Sequence, residues 1–453
     1  MQNFQRQLLS LITSALLCTG LATGSSLRAA DMAQAPALNT PWDWTGIIGT
    51  GQSLSVGEQG RPVRSTTQPY HNLKLSTGDL NWPVDPEDTN LALVPLIEPI
   101  GRQAPRYPSS WPENISGETP HSAMANELTA LVMASSGRDY VTVHSAVGEN
   151  GQGMKFLKKN AIVVGTNGHS YEGALIETKA ITRLAKAAGK TYGVGAITLT
   201  HGESDAGNMS YEEQLHQLWS DYNTDLPAIT GQSQKILMIL SQQNSVNDSA
   251  PSTQAEWKAG VDHPDEMVCS GPKYQYPYAE GIHLTALGYQ ELGEKYAQVY
   301  YQRVILGNNW QPLEPLGVER NGTVLTVHFH VPAGPLVWDT ELQTPHGTND
   351  TWKAGKGFEV ISASGTKITI TSAEIAGDSV VITCAEDPGA GARVGYAMKA
   401  EPAAPGQKRG PMMATPYRGT FRWGLLRDSD AFEGSVTKKV QPNYCVAFEL
   451  RAE

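Results

Sequence analysis

Between Trp44 and Leu306 this chain alternates short apolar runs with longer amphipathic ones, and few architectures tolerate that rhythm. Gly46-Ile47-Ile48-Gly49, Tyr140–Ala146, Val194–Leu199 and Ile236–Leu240 read as strands, the last with no polar residue. A strand apolar on both faces must be covered on both faces, which is the condition of a parallel sheet between helical layers. The intervening segments have helical spacing. Thr119 is placed as an N-cap with Pro120 at the first helical position, opening a helix through about Met133. Ala174–Ala188 carries Leu175, Ile176, Ala180, Ile181, Leu184 and Ala185 along one face. Tyr211–Tyr222 and Thr285–Val304 complete the series, the latter as a closing amphipathic helix. The expectation is an α/β fold.

Two regions break the rhythm. Arg61–Ser116 is rich in Pro, Asn and Trp without clear periodicity, and reads as an insertion of substrate-shaping loops above the sheet. From about Asn308 the chain turns rich in Val, Thr, Ile and Gly. Thr323–His330, Phe358–Ala363 and Lys367–Thr371 alternate, and Val380–Cys384 is another β-type run. This predicts a small antiparallel β domain, sandwich-like, over 309–453. The first 30 residues read as a secretory signal: Arg6 is the lone early charge, Leu8–Leu21 is apolar apart from Ser and Thr, and small residues offer cleavage after Gly24, Ala30 or Ala35. That run falls short of the ~20 residues a membrane span needs. The expected α/β domain is then 31–308, and the expected location is secreted or periplasmic.

The net charge of −11 disfavours nucleic acid or an anionic membrane as partner. Beyond the signal, three cysteines remain, Cys269, Cys384 and Cys445, with no metal-like Cys/His spacing. A Cys384–Cys445 disulfide and three buried thiols are both compatible with this count. Asp262, His263, Asp265 and Glu266 cluster in sequence, but four near neighbours do not easily converge on one ion, so no metal or cofactor is expected.

Four clusters fall at the carboxyl ends of the expected strands, where an open α/β sheet places its ligand site. Gly49-Thr50-Gly51-Gln52-Ser53 presents a serine on a glycine-flanked turn. Val147-Gly148-Glu149 puts a glycine where a backbone N–H can approach a ligand. His201-Gly202-Glu203-Ser204-Asp205 sets polar side chains directly after a buried strand. Glu280-Gly281-Ile282-His283 offers an imidazole with a carboxylate three residues earlier on a loop.

In this order the clusters resemble blocks I, II, III and V of the SGNH (GDSL-like) hydrolases. The Gly51-Gln52-Ser53 and His201–Asp205 forms are similar to the carbohydrate esterase branch that includes sialate O-acetylesterases and acetylxylan esterases. Gly391–Ala397 and Arg422–Asp428 are similar to the appended β domain of sialate O-acetylesterase-like proteins. The resemblance implies a flavodoxin-like three-layer sandwich and a serine esterase acting on small acyl esters of carbohydrate. It casts Ser53 as nucleophile, His283 as base and Glu280 as the acid that orients it. The oxyanion falls to the Ser53 and Gly148 N–H groups and the His201 side chain, with Gln52 and Glu203 behind them. Glu203 would hold the His201 ring or a sugar hydroxyl. Two positions depart from the family pattern: Glu280 where Asp is usual, and His201 where this branch commonly has Gln. Those departures keep a catalytically silent carbohydrate-binding protein in play beside the esterase. A lipase of the α/β-hydrolase type would need a GxSxG elbow, which the chain lacks, whereas an SGNH-type lipase or phospholipase would need apolar walls.

Overall fold

Strand β1, Trp44–Gly51, lies at the middle of a seven-stranded sheet and is buried along almost its whole length. The computed structural model describes residues 38–76, 84–101, 111, 117–161, 167–244, 250–342, 350–398, 401–402, 420–421 and 423–453. The signal segment 1–30 and Arg422 lie outside them. The other strands are β2 (Leu73–Ser76), β3 (Ala92–Pro95), β4 (Val141–Ala146), β5 (Tyr192–Thr200), β6 (Leu237–Gln242) and β7 (Met267–Pro272). Their order is β3-β2-β4-β1-β5-β6-β7, and every neighbouring pair is parallel except β2 with β3.

From β1 the chain passes outward to β2 and β3, returns to β4 beside β1, then crosses to β5, β6 and β7 on the other side. Strand order therefore reverses beside β1, and the crevice at its carboxyl end is the place where doubly wound sheets bind ligands. Adjacent side chains of a strand point to opposite faces, so two layers of helix are needed. Ile47 packs with Met124, Leu128, Leu292 and Tyr296 of helices Pro120–Ser136 and Ala286–Tyr300. Ile48 packs with Ala174, Ile181, Leu215 and Leu218 of helices Ser170–Ala187 and Tyr211–Thr230. Burying each isoleucine contributes ~1.5–3 kcal/mol. The result is helix, sheet, helix.

The sequence expectations hold for the type of each of these elements and shift at their ends. Helix Tyr211–Thr230 runs beyond the expected Tyr222, accommodating Pro227 before Gly231 ends it with a left-handed φ of 76°. Helix Pro251–Asp262 and strand β7 were not expected: the first is polar in composition and the second is short and interrupted by Ser, Gly and Pro. The insertion is corrected more substantially. Part of Arg61–Ser116 is not loop but the β2–β3 pair, which extends the sheet past β4.

Beyond residue 308, two four-stranded antiparallel sheets form. One holds Lys367–Ile368, Phe358–Ile361, Arg393–Tyr396 and Phe448–Arg451; the other holds Ile370–Ala376, Ser379–Cys384, Val324–His330 and Glu314–Asn321. They share one core, with Phe329 6.4 Å from Phe358 and 6.1 Å from Phe448, centroid to centroid. This region is tied to the strand ends of the α/β part. The Gln242 amide donates to the Ala447 carbonyl (2.8 Å) and accepts from its N–H (2.7 Å). The three cysteines are separate buried thiols, so the disulfide alternative falls. Among the described residues no helix is long and apolar enough to cross a membrane.

Candidate active site

The turn after β1 depends on its glycine. Gly51 has φ of +133°, and a Cβ there would meet the Thr200 carbonyl oxygen at 2.2 Å. With Gly51 in place the chain bends sharply and Ser53 opens a short 3₁₀ turn, Ser53–Val56. The Ser55 hydroxyl donates to the Gln52 carbonyl (2.6 Å), and the Tyr289 hydroxyl donates to the Glu58 carbonyl (2.7 Å) from the closing helix. Ser53 is only 7% exposed, so its hydroxyl faces a defined environment.

That environment is His283. Its Nε2 lies 2.8 Å from Ser53 Oγ, across a sequence separation of 230 residues. The loop carrying it is pinned by the Ala279 N–H donating to the His283 carbonyl (2.9 Å) and by the Thr285 N–H donating to the Pro277 carbonyl (2.9 Å). Thr285 caps helix Ala286–Tyr300, its hydroxyl oxygen accepting from the Gly288 N–H (3.1 Å). Glu280 Oε1 sits against His283 Nδ1. The same carboxylate accepts the N–H groups of Ile282 (2.9 Å) and His283 (2.8 Å). Burial alone would raise the Glu280 carboxyl. The His283 hydrogen bond and charge, with these backbone donors, outweigh it and hold the group below the ordinary carboxylate range.

Gly148 reaches the nucleophile turn because it has no side chain: a Cβ would stand 2.0 Å from Ser55 Oγ and 2.8 Å from the Gly51 carbonyl. Its neighbours anchor it. The Val147 N–H donates to the Gly49 carbonyl (2.8 Å) and the Glu149 N–H to the Gly51 carbonyl (2.9 Å). The Glu149 side chain then accepts the N–H groups of Gly168, His169 and Ser170 (2.8, 2.5 and 2.9 Å) where helix Ser170–Ala187 begins. Burial pushes Glu149 up to about 7 against those donors. Among the described residues no acceptor takes the N–H of Ser53 or of Gly148.

The His201 side chain spends both ring nitrogens on partners within the fold. Its ring is fully buried, with Nε2 2.9 Å from the Gln152 carbonyl and Nδ1 2.5 Å from the Tyr211 hydroxyl. A carbonyl can only accept, so Nε2 carries the proton and Nδ1 accepts from Tyr211. Burial lowers the His201 pKa even against the attraction of Asp205, which keeps the ring neutral. Both nitrogens are thus committed, Nε2 to the Gly148–Gln152 segment and Nδ1 to the start of helix Tyr211–Thr230. Of the two expected partners of Glu203, the His201 ring is not one: the carboxylate lies 3.0 Å from the ammonium of Lys273, both nearly or fully buried. Gln52 bridges the first and third clusters, its Oε1 accepting the Ser204 N–H (2.9 Å).

Lys273 and Glu256 carried no signal in sequence. Lys273 is a single lysine just past the unrecognised β7, and Glu256 sits in the unrecognised helix. Glu256 accepts the Gln243 N–H (2.6 Å) and lies so close to Gly202 that a Cβ there would meet it at 2.3 Å. Desolvation would drive a lone buried lysine toward neutrality, but Glu203 and Glu256 together raise the Lys273 pKa.

No protein-family model matches this chain, and no curated protein matches it. Solved structures do. A carbohydrate acetylesterase from Xanthomonas citri superposes with a TM-score of 0.52 at 12% identity, over 90% of this chain and 80% of that one. A protein from Arabidopsis thaliana (18% identity, 58% and 100% covered, TM-score 0.41) and NanS (9%, 59% and 98%, TM-score 0.36) are also similar. The first likeness covers too much of this chain to be confined to the α/β region, and at 12% identity it shows a shared fold.

Proposed function

We propose that this protein is a serine ester hydrolase of the SGNH type that removes small acyl groups, acetyl foremost, from carbohydrate. The observation carrying this reading is the continuous line Ser53 Oγ, His283 Nε2, His283 Nδ1, Glu280 Oε1 at the carboxyl end of β1. Ser53 Oγ attacks the ester carbonyl while His283 Nε2 takes its proton. Glu280 orients the ring and stabilises the imidazolium. The Ser53 and Gly148 N–H groups receive the negative oxygen. Collapse breaks the bond to the alkoxy oxygen, which leaves as alcohol with the proton from Nε2. Water, deprotonated by the same nitrogen, then releases the acid and restores Ser53.

The acetyl and carbohydrate assignments draw support from the sequence blocks and from the likeness to the Xanthomonas citri carbohydrate acetylesterase. We place the mature enzyme outside the cytoplasm, 1–30 acting as its export signal, and assign 31–308 to catalysis and 309–453 to an accessory β domain. The test is acetate release from acetylated xylan, sialoglycan and pectin fragments, with p-nitrophenyl acetate as an activated control. Ser53→Ala should lose about 10⁴–10⁶ in rate. A variant keeping more than a tenth of wild-type turnover removes Ser53 from the mechanism. A wild type inert on every ester leaves the silent-binding alternative.

A further inference from the structure

On the helical side of the molecule, three elements converge on one carboxylate. Helix Tyr211–Thr230 contributes His216, the end of helix Pro251–Asp262 contributes His263, and the turn into β7 contributes Glu266. Glu266 Oε2 lies 3.0 Å from His216 Nε2 and 3.7 Å from His263 Nδ1. One ligand atom from each residue falls within 4.8 Å of the others. The sequence offered His263 and Glu266 only as near neighbours in a loop. The fold adds His216 from a separate helix, so convergence no longer depends on four adjacent residues.

We propose that His216, His263 and Glu266 form a site for a borderline divalent cation, Zn²⁺ above all, that fastens the three elements together. Imidazole and carboxylate suit such ions, and tetrahedral coordination at about 2.0–2.2 Å separates ligand atoms by roughly 3.4 Å. The two measured separations bracket that value. The surroundings are arranged for the same task. Lys235 Nζ is 3.5 Å from Oε1 of Glu266, the oxygen facing away from the imidazoles, and so steadies the carboxylate while leaving Oε2 to the ion. His216 stacks on Trp219 (5.7 Å between centroids, 10° between planes), which fixes its ring. The Glu266 backbone is held by its N–H donating to the His263 carbonyl and its carbonyl accepting the Met238 N–H, both 3.0 Å. His263 lies parallel to His216 with ring centroids 3.9 Å apart. In-plane lone pairs of parallel rings do not meet, so binding requires His263 to tilt, and its partial exposure at a helix end permits this. The fourth position belongs to water. This site stands apart from the Ser53 line and does not rest on the esterase reading.

The experiment uses the full chain, stripped with EDTA and dialysed, titrated with ZnCl₂ calorimetrically and followed by thermal melting. One equivalent of Zn²⁺ should bind and raise the melting midpoint, whereas Mg²⁺, which prefers oxygen ligands, should do neither. His216→Asn, His263→Asn and Glu266→Gln should each weaken Zn²⁺ binding by at least about tenfold, the loss that even an outer partner's removal causes. Circular dichroism establishes that each variant is folded, and three independent replacements guard against one that is not. Absence of Zn²⁺ binding in the wild type overturns the proposal. Wild-type affinity in all three variants overturns it equally, by placing the ion elsewhere.

Discussion

Glu280 grips the segment that carries His283 at three points: the imidazole Nδ1, the His283 N–H at 2.8 Å and, one residue earlier, the Ile282 N–H at 2.9 Å. The carboxylate therefore orients the ring and shapes the loop that presents it.

Two substitutions separate the roles of that carboxylate. Glu280→Gln keeps the length but can neither stabilise imidazolium nor secure the tautomer, and should cost about 10⁴ in kcat. Glu280→Asp keeps the charge but shortens the reach, a misplacement expected to cost about 10- to 100-fold. Measuring kcat on p-nitrophenyl acetate for both gives the ranking. Asp falling below Gln would mean that backbone shaping outweighs charge.

The parts of the site legible in sequence were those where a side chain follows a buried strand. Ser53 and Gly148 stand directly behind glycine or small-residue turns, and His283 stands just before a capped helix. The three-residue Glu280–His283 spacing also survives folding, because a local loop preserves local spacing. What could not be read was partner choice across the fold. His201 turns to Tyr211 and Gln152, and Glu203 turns to Lys273 from an unrecognised strand end. Periodicity reports which face is buried, not which polar groups meet there. The β2–β3 pair was hidden for a related reason: both strands are four residues long and flanked by Pro-rich segments.

The Lys273–Glu203 contact gives a stability prediction. Removing one member of a buried ion pair leaves an uncompensated charge and typically costs about 3–5 kcal/mol. Lys273→Met should therefore destabilise the protein by that order in urea unfolding. Adding Glu203→Gln should recover part of the loss, since the remaining carboxamide carries no charge. If the double variant is as unstable as the sum of the singles, the two residues are not coupled.

Glu98 gives a pH prediction. Burial, then the nearby Glu118 charge, push its carboxyl up to about 8. Its Oε1 accepts the hydroxyls of Thr119 (2.5 Å) and Ser122 (3.0 Å), binding the insertion to the start of helix Pro120–Ser136. A folded-state pKa above the unfolded one means that the native state holds the proton longer. The contribution of Glu98 is then fully present below about 4.3, the ordinary Glu value, and is lost as pH rises toward 8. Glu98→Gln cannot ionise yet still accepts both hydroxyls. Its melting temperature should fall less than that of the wild type between pH 5 and pH 9. Parallel curves would exclude Glu98 as the titrating group.

His201 separates structural support from chemistry. Its neutral, fully buried ring donates from Nε2 to the Gln152 carbonyl and accepts at Nδ1 from the buried Tyr211 hydroxyl. His201→Ala strands the buried Tyr211 hydroxyl, costing about 1–3 kcal/mol, frees the half-buried Gln152 carbonyl, and leaves a cavity besides. The melting temperature should drop clearly. Loss of a direct oxyanion donor would instead lower kcat by about 10²–10³ with stability intact. Because Gln152 belongs to the segment that carries Gly148, some loosening of the backbone donor is expected. The kcat of the folded variant, measured well below its melting point, should then stay within about tenfold of wild type, short of a lost donor. His201→Gln keeps one donor and one acceptor and should regain part of the stability. A His201→Ala protein with unchanged melting temperature and a hundredfold lower kcat would return the imidazole to the oxyanion and overturn the geometry described above.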